Sequence, residues 1–187
     1  MYKSFLTLIA LSIFLFPTII HSSEDSISQF TYGYLKRVND FISEEDFVGA
    51  EKELSILSKR YFLNEQSYER CLINQLWGNL YATQSMFEQA AEAYEKSLKF
   101  RKIPLITNLQ VRKNLAASYF QTKDFKKVIE VLLGYKEIAE KRGQDFSPEN
   151  RILLGISYYY EENFVDAYTF VSSANEMSIK YKEDWLR

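Results

Sequence analysis

Apolar residues recur along this chain at steps of three and four, the period that turns one face of an α-helix toward a core. Ile27, Phe30, Tyr34, Val38 and Phe41 form one such series, and Phe47, Ala50, Leu54, Leu57 and Tyr61 form the next. The polar run Ser43-Glu44-Glu45-Asp46 separates them, with Ser43 placed to cap the second series. The alternation continues to the end and predicts eight helices. The first two are Ser26–Ile42 and Phe47–Tyr61. The third is capped by Asn64 and runs to about Gln84, and the fourth starts in a capping box at Ser85-Met86-Phe87-Glu88 and runs to about Phe100. Pro104 opens the fifth, Asp124 caps the sixth, and Gly143 closes it. Ser147-Pro148-Glu149 starts the seventh and Asn163-Phe164-Val165-Asp166 the eighth.

The second helix of each pair carries one pattern. It reads Phe47-x-x-Ala50-x-x-x-Leu54, then Phe87-x-x-Ala90-x-x-x-Tyr94, Phe125-x-x-Val128-x-x-x-Leu132 and Phe164-x-x-Ala167-x-x-x-Val171. Its small residues, Ala50, Ala90, Val128 and Ala167, are spaced 40, 38 and 39 residues apart. An aromatic residue precedes each Phe by six places: Phe41, Tyr81, Tyr119 and Tyr158. Large and small residues thus alternate where two helices cross. Gly78 and Ala90 allow close backbone approach, Phe87 and Tyr81 are expected to fill the gaps on either side, and the four Phe rings are expected to lie in the core.

The unit Trp77-Gly78-Asn79-Leu80-Tyr81 followed by Phe87 to Leu98 resembles a tetratricopeptide repeat, in which Gly, Tyr, Ala and aromatic positions recur at this spacing. The resemblance covers about residues 30–180. It implies an all-α fold, a right-handed α-solenoid of about four helix-turn-helix repeats over residues 27–63, 64–102, 104–143 and 147–182. The steps exceed the usual repeat of about 34 residues, so longer helices or links are expected. Residues 183–187, with Trp185, read as the start of a further helix: either a short cap on the array or the truncated edge of a longer repeat protein.

The first residues depart from this pattern. Lys3 precedes an almost unbroken apolar run from Phe5 to Phe16, Pro17 breaks it, and His21-Ser22-Ser23 follows. This reads as a cleavable secretory signal peptide over residues 1–22, with a periplasmic destination. Phe5 to Ile20 is 16 residues, about 24 Å of helix, short of a ~30 Å hydrocarbon core. No Cys follows the run, which argues against a lipid anchor. Without Lys3 the chain keeps 22 basic against 25 acidic residues, a net charge of −3, with no basic stripe for nucleic acid. Basic residues gather where second helices end, at Lys59-Arg60, Arg101-Lys102, Lys141-Arg142, Lys180 and Lys182, as the helix dipole favours. Cys71 is the sole cysteine, expected as a small buried helix residue.

The one histidine, His21, falls within the leader. Mature protein would then lack His-based acid–base work, Ser-His-acid triads and His-ligated metals. A single Cys makes no zinc site, and no phosphate-binding Gly loop is present. Catalytic, cofactor and metal sites are therefore not expected, and no small-molecule substrate is evident. Expected function shifts to binding a protein or peptide.

In arrays of this kind the first helices of the hairpins line a concave face. Counting each unit from the register of Gly78 gives Tyr32, Leu35, Asn39 and Ile42, then Leu72, Gln75, Asn79 and Ala82. Unit three gives Gln110, Lys113, Ala117 and Phe120, and unit four Glu149, Ile152, Ile156 and Tyr159. The candidate partner-binding residues are Tyr32, Asn39, Gln75, Asn79, Lys113, Phe120, Ile156 and Tyr159. Asn79 and Asn114 match asparagine places of chaperone-docking repeats, but the cation places hold Gln75, Glu149 and Leu153, so a carboxylate clamp is not expected. A narrower pattern runs through Tyr68-Glu69-Arg70, Trp77-Gly78, Arg112-Lys113-Asn114-Leu115-Ala116, Ser147-Pro148-Glu149, Leu153 to Tyr159 and Lys182-Glu183-Asp184-Trp185. It resembles exported repeat proteins of bacterial TonB energy-transducing systems. That resemblance implies a periplasmic, non-enzymatic scaffold, an accessory of a TonB–ExbB–ExbD-type uptake complex. An envelope assembly factor for outer-membrane proteins or pili is the alternative reading, and a cell-wall enzyme a third.

Overall fold

The computed structural model describes residues 27–60, 67–100 and 103–185. The expected leader, 1–22, lies outside them, as do Tyr61, Asn64 and the pair Arg101-Lys102. The described residues form eight helices and no strand: α1 Gln29–Ser43, α2 Phe47–Arg60, α3 Tyr68–Thr83, α4 Phe87–Leu98, α5 Leu105–Gln121, α6 Phe125–Glu140, α7 Pro148–Tyr160 and α8 Phe164–Trp185. They pair as four hairpins, α1–α2, α3–α4, α5–α6 and α7–α8. Each hairpin rests on the next through α2–α3, α4–α5 and α6–α7, with α1 also touching α3. This succession of neighbour contacts is an all-α helical-repeat solenoid. The final helix runs unbroken to Trp185, where a new helix was expected to begin at 183.

All four hairpins turn in one way. The first helix ends in a residue with positive φ, at Glu45 (60°), Ser85 (61°), Lys123 (62°) and Glu162 (61°). The next amide then donates back across the turn, Asp46 to Phe41 O at 2.8 Å, and Met86, Asp124 and Asn163 to Tyr81, Tyr119 and Tyr158 O at 2.9 Å. This 6→1 closure satisfies carbonyls that the helix end leaves open. The aromatic residue that recurs six places before each Phe supplies the closing carbonyl. The expected capping box at Ser85 is therefore replaced: Ser85 is the left-handed turn residue, and Met86 caps α4 without a side-chain bond. Ser43 likewise ends α1, donating from Oγ to Asn39 O at 2.9 Å, and the α2 cap passes to Asp46, whose Oδ1 accepts from the Gly49 amide at 2.9 Å. Asp124, Asn163 and Ser147 cap as expected. Gly143, at φ 68°, closes α6 with the same pair of bonds, Gln144 N to Ala139 O at 2.9 Å and Gly143 N to Glu140 O at 3.1 Å.

In two of the hairpins a glycine on the first helix faces a larger residue on the second. A Cβ at Gly78 would stand 2.4 Å from the Tyr94 ring, and one at Gly155 would stand 2.7 Å from Val171 Cγ2. Tyr94 is fully buried because Gly78 leaves its ring room. The Phe rings at the hairpin tips play a lesser part than expected. Phe47, Phe87 and Phe125 are only half-buried, and Phe164 is 59 % exposed. The core is made instead by the Ala, Val and Leu positions behind them, including Ala50, Leu54, Ala90, Val128 and Leu132.

Two core clusters result. One spans α1 to α3, from Leu35, Val38 and Ile42 to Ile73, Leu76 and Leu80. The other spans α4 to α7, from Ala90 and Tyr94 to Leu154, and takes in Phe146 from the α6–α7 link. A polar seam runs between them. Asn79 Oδ1 accepts from the Tyr94 hydroxyl at 2.8 Å and from Asn114 Nδ2 at 3.3 Å. Beside it Ser97 Oγ donates to Cys71 O at 3.0 Å.

Candidate functional site

The first helices α1, α3, α5 and α7 carry the expected binding positions, and the hairpin stack sorts them into three groups. Asn39 and Asn79 are buried: Asn39 Nδ2 donates to Leu35 O at 2.8 Å, and Asn79 holds the polar seam. Gln75, Lys113, Phe120 and Ile156 are half-buried. Tyr32 and Tyr159 are exposed, at 52 % and 60 %. Phe120 packs edge-on against Phe125, with ring centroids 5.6 Å apart, and against the second core cluster. Its place is thus shared between core and surface.

Equivalent positions of stacked hairpins fall side by side, so Gln75 of α3, Lys113 of α5 and Ile152 of α7 form a row. Leu72, Gln110 and Glu149 form a second row one turn earlier. The rows touch electrostatically. Glu149 is held below its ordinary carboxyl range, first by the Ser147 hydroxyl that bonds it and also by the charge of Lys113. Gln110 Nε2 donates to Asn114 Oδ1 at 2.9 Å, which ties the surface to the buried seam. The surface that results offers amides, one cation, one anion and aliphatic faces. Such a mixture presents both hydrogen-bonding and apolar groups on one surface.

Sequence reasoning missed a second recess, on the far faces of α2, α3 and α4. It encloses about 300 Å³ and is lined by Ser58, Arg70, Asn74, Trp77, Gln89 and Lys96, among others. Trp77 stacks on Tyr81 at 5.5 Å and donates from Nε1 to Ser58 Oγ at 2.9 Å. Arg70 donates to Ser58 O at 3.1 Å, and Lys96 pairs with Glu92 at 2.7 Å. Ser58, Arg70, Trp77 and Lys96 are thus already engaged with neighbouring groups, as in a joint between hairpins. Its signal in the sequence, an aromatic pair four apart beside Arg70, is also what a helix–helix joint needs.

Cys71 is fully buried, as expected. Burial pushes its thiol up to about 11, against a smaller opposing effect of its hydrogen bond with Ser97. A thiol kept protonated and enclosed is a poor nucleophile. Among the described residues no group of three or more His, Cys, Asp or Glu side chains is placed to hold a metal ion, and no helix is long and apolar enough to cross a membrane. No protein-family model matches this chain, and no curated protein is detectably similar to it.

Proposed function

We propose that this chain is a non-enzymatic interaction scaffold of the cell envelope. It binds an extended peptide segment of a protein partner across α3, α5 and α7. The observation that carries the reading is the pair of adjoining rows on those helices, where amide, charged and aliphatic side chains fall at hairpin spacing and stay half-buried or exposed. The leader-like first 22 residues support export to the periplasm. The resemblance to tetratricopeptide repeats, and to exported repeat proteins of TonB systems, gives the partner class: a component of a TonB–ExbB–ExbD-type complex serving outer-membrane uptake. The buried asparagines Asn39 and Asn79 shape the scaffold beneath this surface, and Tyr159 borders it.

The test is capture from envelope fractions after in-cell crosslinking, with wild type beside Gln75→Ala/Lys113→Glu and Ile152→Glu. Circular dichroism should show all variants folded, because these side chains are half-buried or exposed. A partner that crosslinks to wild type and falls at least tenfold in the variants supports the reading. Equal capture by wild type and variants, or none by either, rejects it. Mass measurement of the purified protein checks export separately: the mature form should lack the leader.

A further inference from the structure

The recess beside Trp77 has counterparts in the two hairpins that follow, and in both a side chain of the chain itself fills it. Asn74, Arg112 and Arg151 hold one register of the first helices, each four places before Gly78, Ala116 and Gly155. Lys96, Gly134 and Ser173 hold the matching register of the second helices, each two places after Tyr94, Leu132 and Val171. In the third hairpin the half-buried Arg112 crosses from α5 to α6, so that a Cβ at Gly134 would stand 3.0 Å from its Nη1. In the fourth, Arg151 crosses from α7 to α8 and its Nη1 donates to Ser173 Oγ at 3.2 Å. In the second, Asn74 is too short to cross, and Lys96 turns to Glu92 of its own helix at 2.7 Å. There the groove between α3 and α4 is left open, as the recess of about 300 Å³.

We propose that this recess is a binding site for a neutral saccharide. Its charges select against ions of either sign. An anion entering it meets the Glu92 carboxylate, and a cation meets Arg70 and Lys96. Lys96 and Glu92 already neutralise each other, and Arg70 Nη1 is bonded to Ser58 O at 3.1 Å. The remaining polar groups are amides. Asn74 and Gln89 line the recess, and among the described residues neither side chain has a hydrogen-bond partner. A primary amide both donates and accepts, as a hydroxyl does, so each matches the neighbouring hydroxyls of a sugar ring.

The aromatic wall supplies the other half of the recognition. The Trp77 and Tyr81 rings lie 5.5 Å apart and 26° from parallel, and both line the recess. Their faces are electron-rich, and the C–H groups on one side of a pyranose ring are the complement. The bond from Trp77 Nε1 to Ser58 Oγ at 2.9 Å holds the indole in place before a ligand arrives, which lowers the ordering cost of binding. The bonds that join the hairpins thus also make the wall rigid. Ala93, buried in the lining, adds little bulk. The volume lies at the lower end of the range for small-ligand pockets, about 300–1,000 Å³, which limits the ligand to a mono- or disaccharide unit.

Titration calorimetry on the purified protein tests this with cellobiose, maltose and the N-acetylglucosamine disaccharide, and with acetate and arginine as charged probes. At least one disaccharide should bind wild type with a millimolar or tighter dissociation constant, and neither charged probe should. Asn74→Arg/Lys96→Ser closes the recess with the guanidinium–hydroxyl pair that Arg151 and Ser173 already form. It should melt no lower than wild type and bind the sugar at least tenfold more weakly. Gln89→Ala, at an exposed site, should weaken binding at least threefold with an unchanged melt. Should the double variant melt lower, Gln89→Ala decides by itself. Val48→Glu, 80 % exposed on α2 and outside the recess, should bind as wild type does. In a Trp185→Phe background Trp77 is the sole tryptophan, and the sugar should shift its emission. No binding of any of the three disaccharides, binding of acetate or arginine in their place, or a sugar held equally by wild type and Gln89→Ala overturns the proposal.

Discussion

Gly78 and Tyr94 are one device in two residues. The ring lies where a side chain on α3 would stand, 2.4 Å from an added Cβ, and it is fully buried with its hydroxyl held by Asn79. The ring therefore cannot swing aside cheaply. Gly78→Ala gains about 0.5–1 kcal/mol of helix propensity but incurs overpacking of about 1–3 kcal/mol. The expected result is net destabilisation. Gly33, in α1, has only Arg37 Nη1 within reach of such a Cβ, at 3.8 Å. Gly33→Ala should stabilise by about 0.5–1 kcal/mol. Urea unfolding of both variants checks the pair, and a stabilised Gly78→Ala would show that the ring is not confined as described. The spacing of Gly78 from Tyr94 was readable in the sequence. That Tyr94, rather than Phe87, fills the gap was not, because both fall on the inward side of an amphipathic helix, and only the depth of the hairpin crossing separates them.

At the scale of the element, four turns adopt one left-handed conformation without a glycine in any of them. Glu45, Ser85, Lys123 and Glu162 each bear that conformational cost, about 1–2 kcal/mol for an L-residue. It persists because each turn closes a helix end and aims the second helix back along the first. Ser85→Gly should relieve the strain, at some entropic cost in the unfolded chain, and raise stability by about 1 kcal/mol. A denaturation midpoint that stays in place or falls would count against this account of the turn. The four-residue signature Ser-x-x-Glu pointed to a cap at Ser85 because composition carries no φ angle. The closing bond from Met86 N to Tyr81 O used the position first. By contrast, Asp124, Ser147 and Asn163 were legible as caps: Asp124 and Asn163 stand one place after the left-handed residue of their turns, so their side chains still accept from the next helix, and Ser147 lies outside those turns.

At the scale of the whole molecule, the two core clusters are joined by a polar link that ties three helices, α3, α4 and α5, through Asn79, Tyr94 and Asn114. Asn79→Ala would leave a buried hydroxyl and amide without their shared acceptor, a loss of about 1–3 kcal/mol. Adding Tyr94→Phe removes one orphaned donor, so the double variant should be less destabilised than the sum of the singles. A double-mutant cycle read by urea unfolding measures this, and strictly additive losses would refute the link. The same arrangement bears on the candidate surface. It draws Asn79 inward, away from the position that simple register counting gave it, while Gln75 and Lys113 stay half-buried and Ile152 exposed beside it.

The sequence by itself determined the helical character, the hairpin register and the absence of histidine after His21. All three follow from residue identity and from the period at which apolar side chains return to one face. The tertiary structure alone decided which of those side chains lie deep and which merely edge the hairpins, and how each turn is closed. Burial depends on what stands opposite. A helix records which of its own faces is apolar, but whether that face is covered depends on the neighbour the fold brings to it.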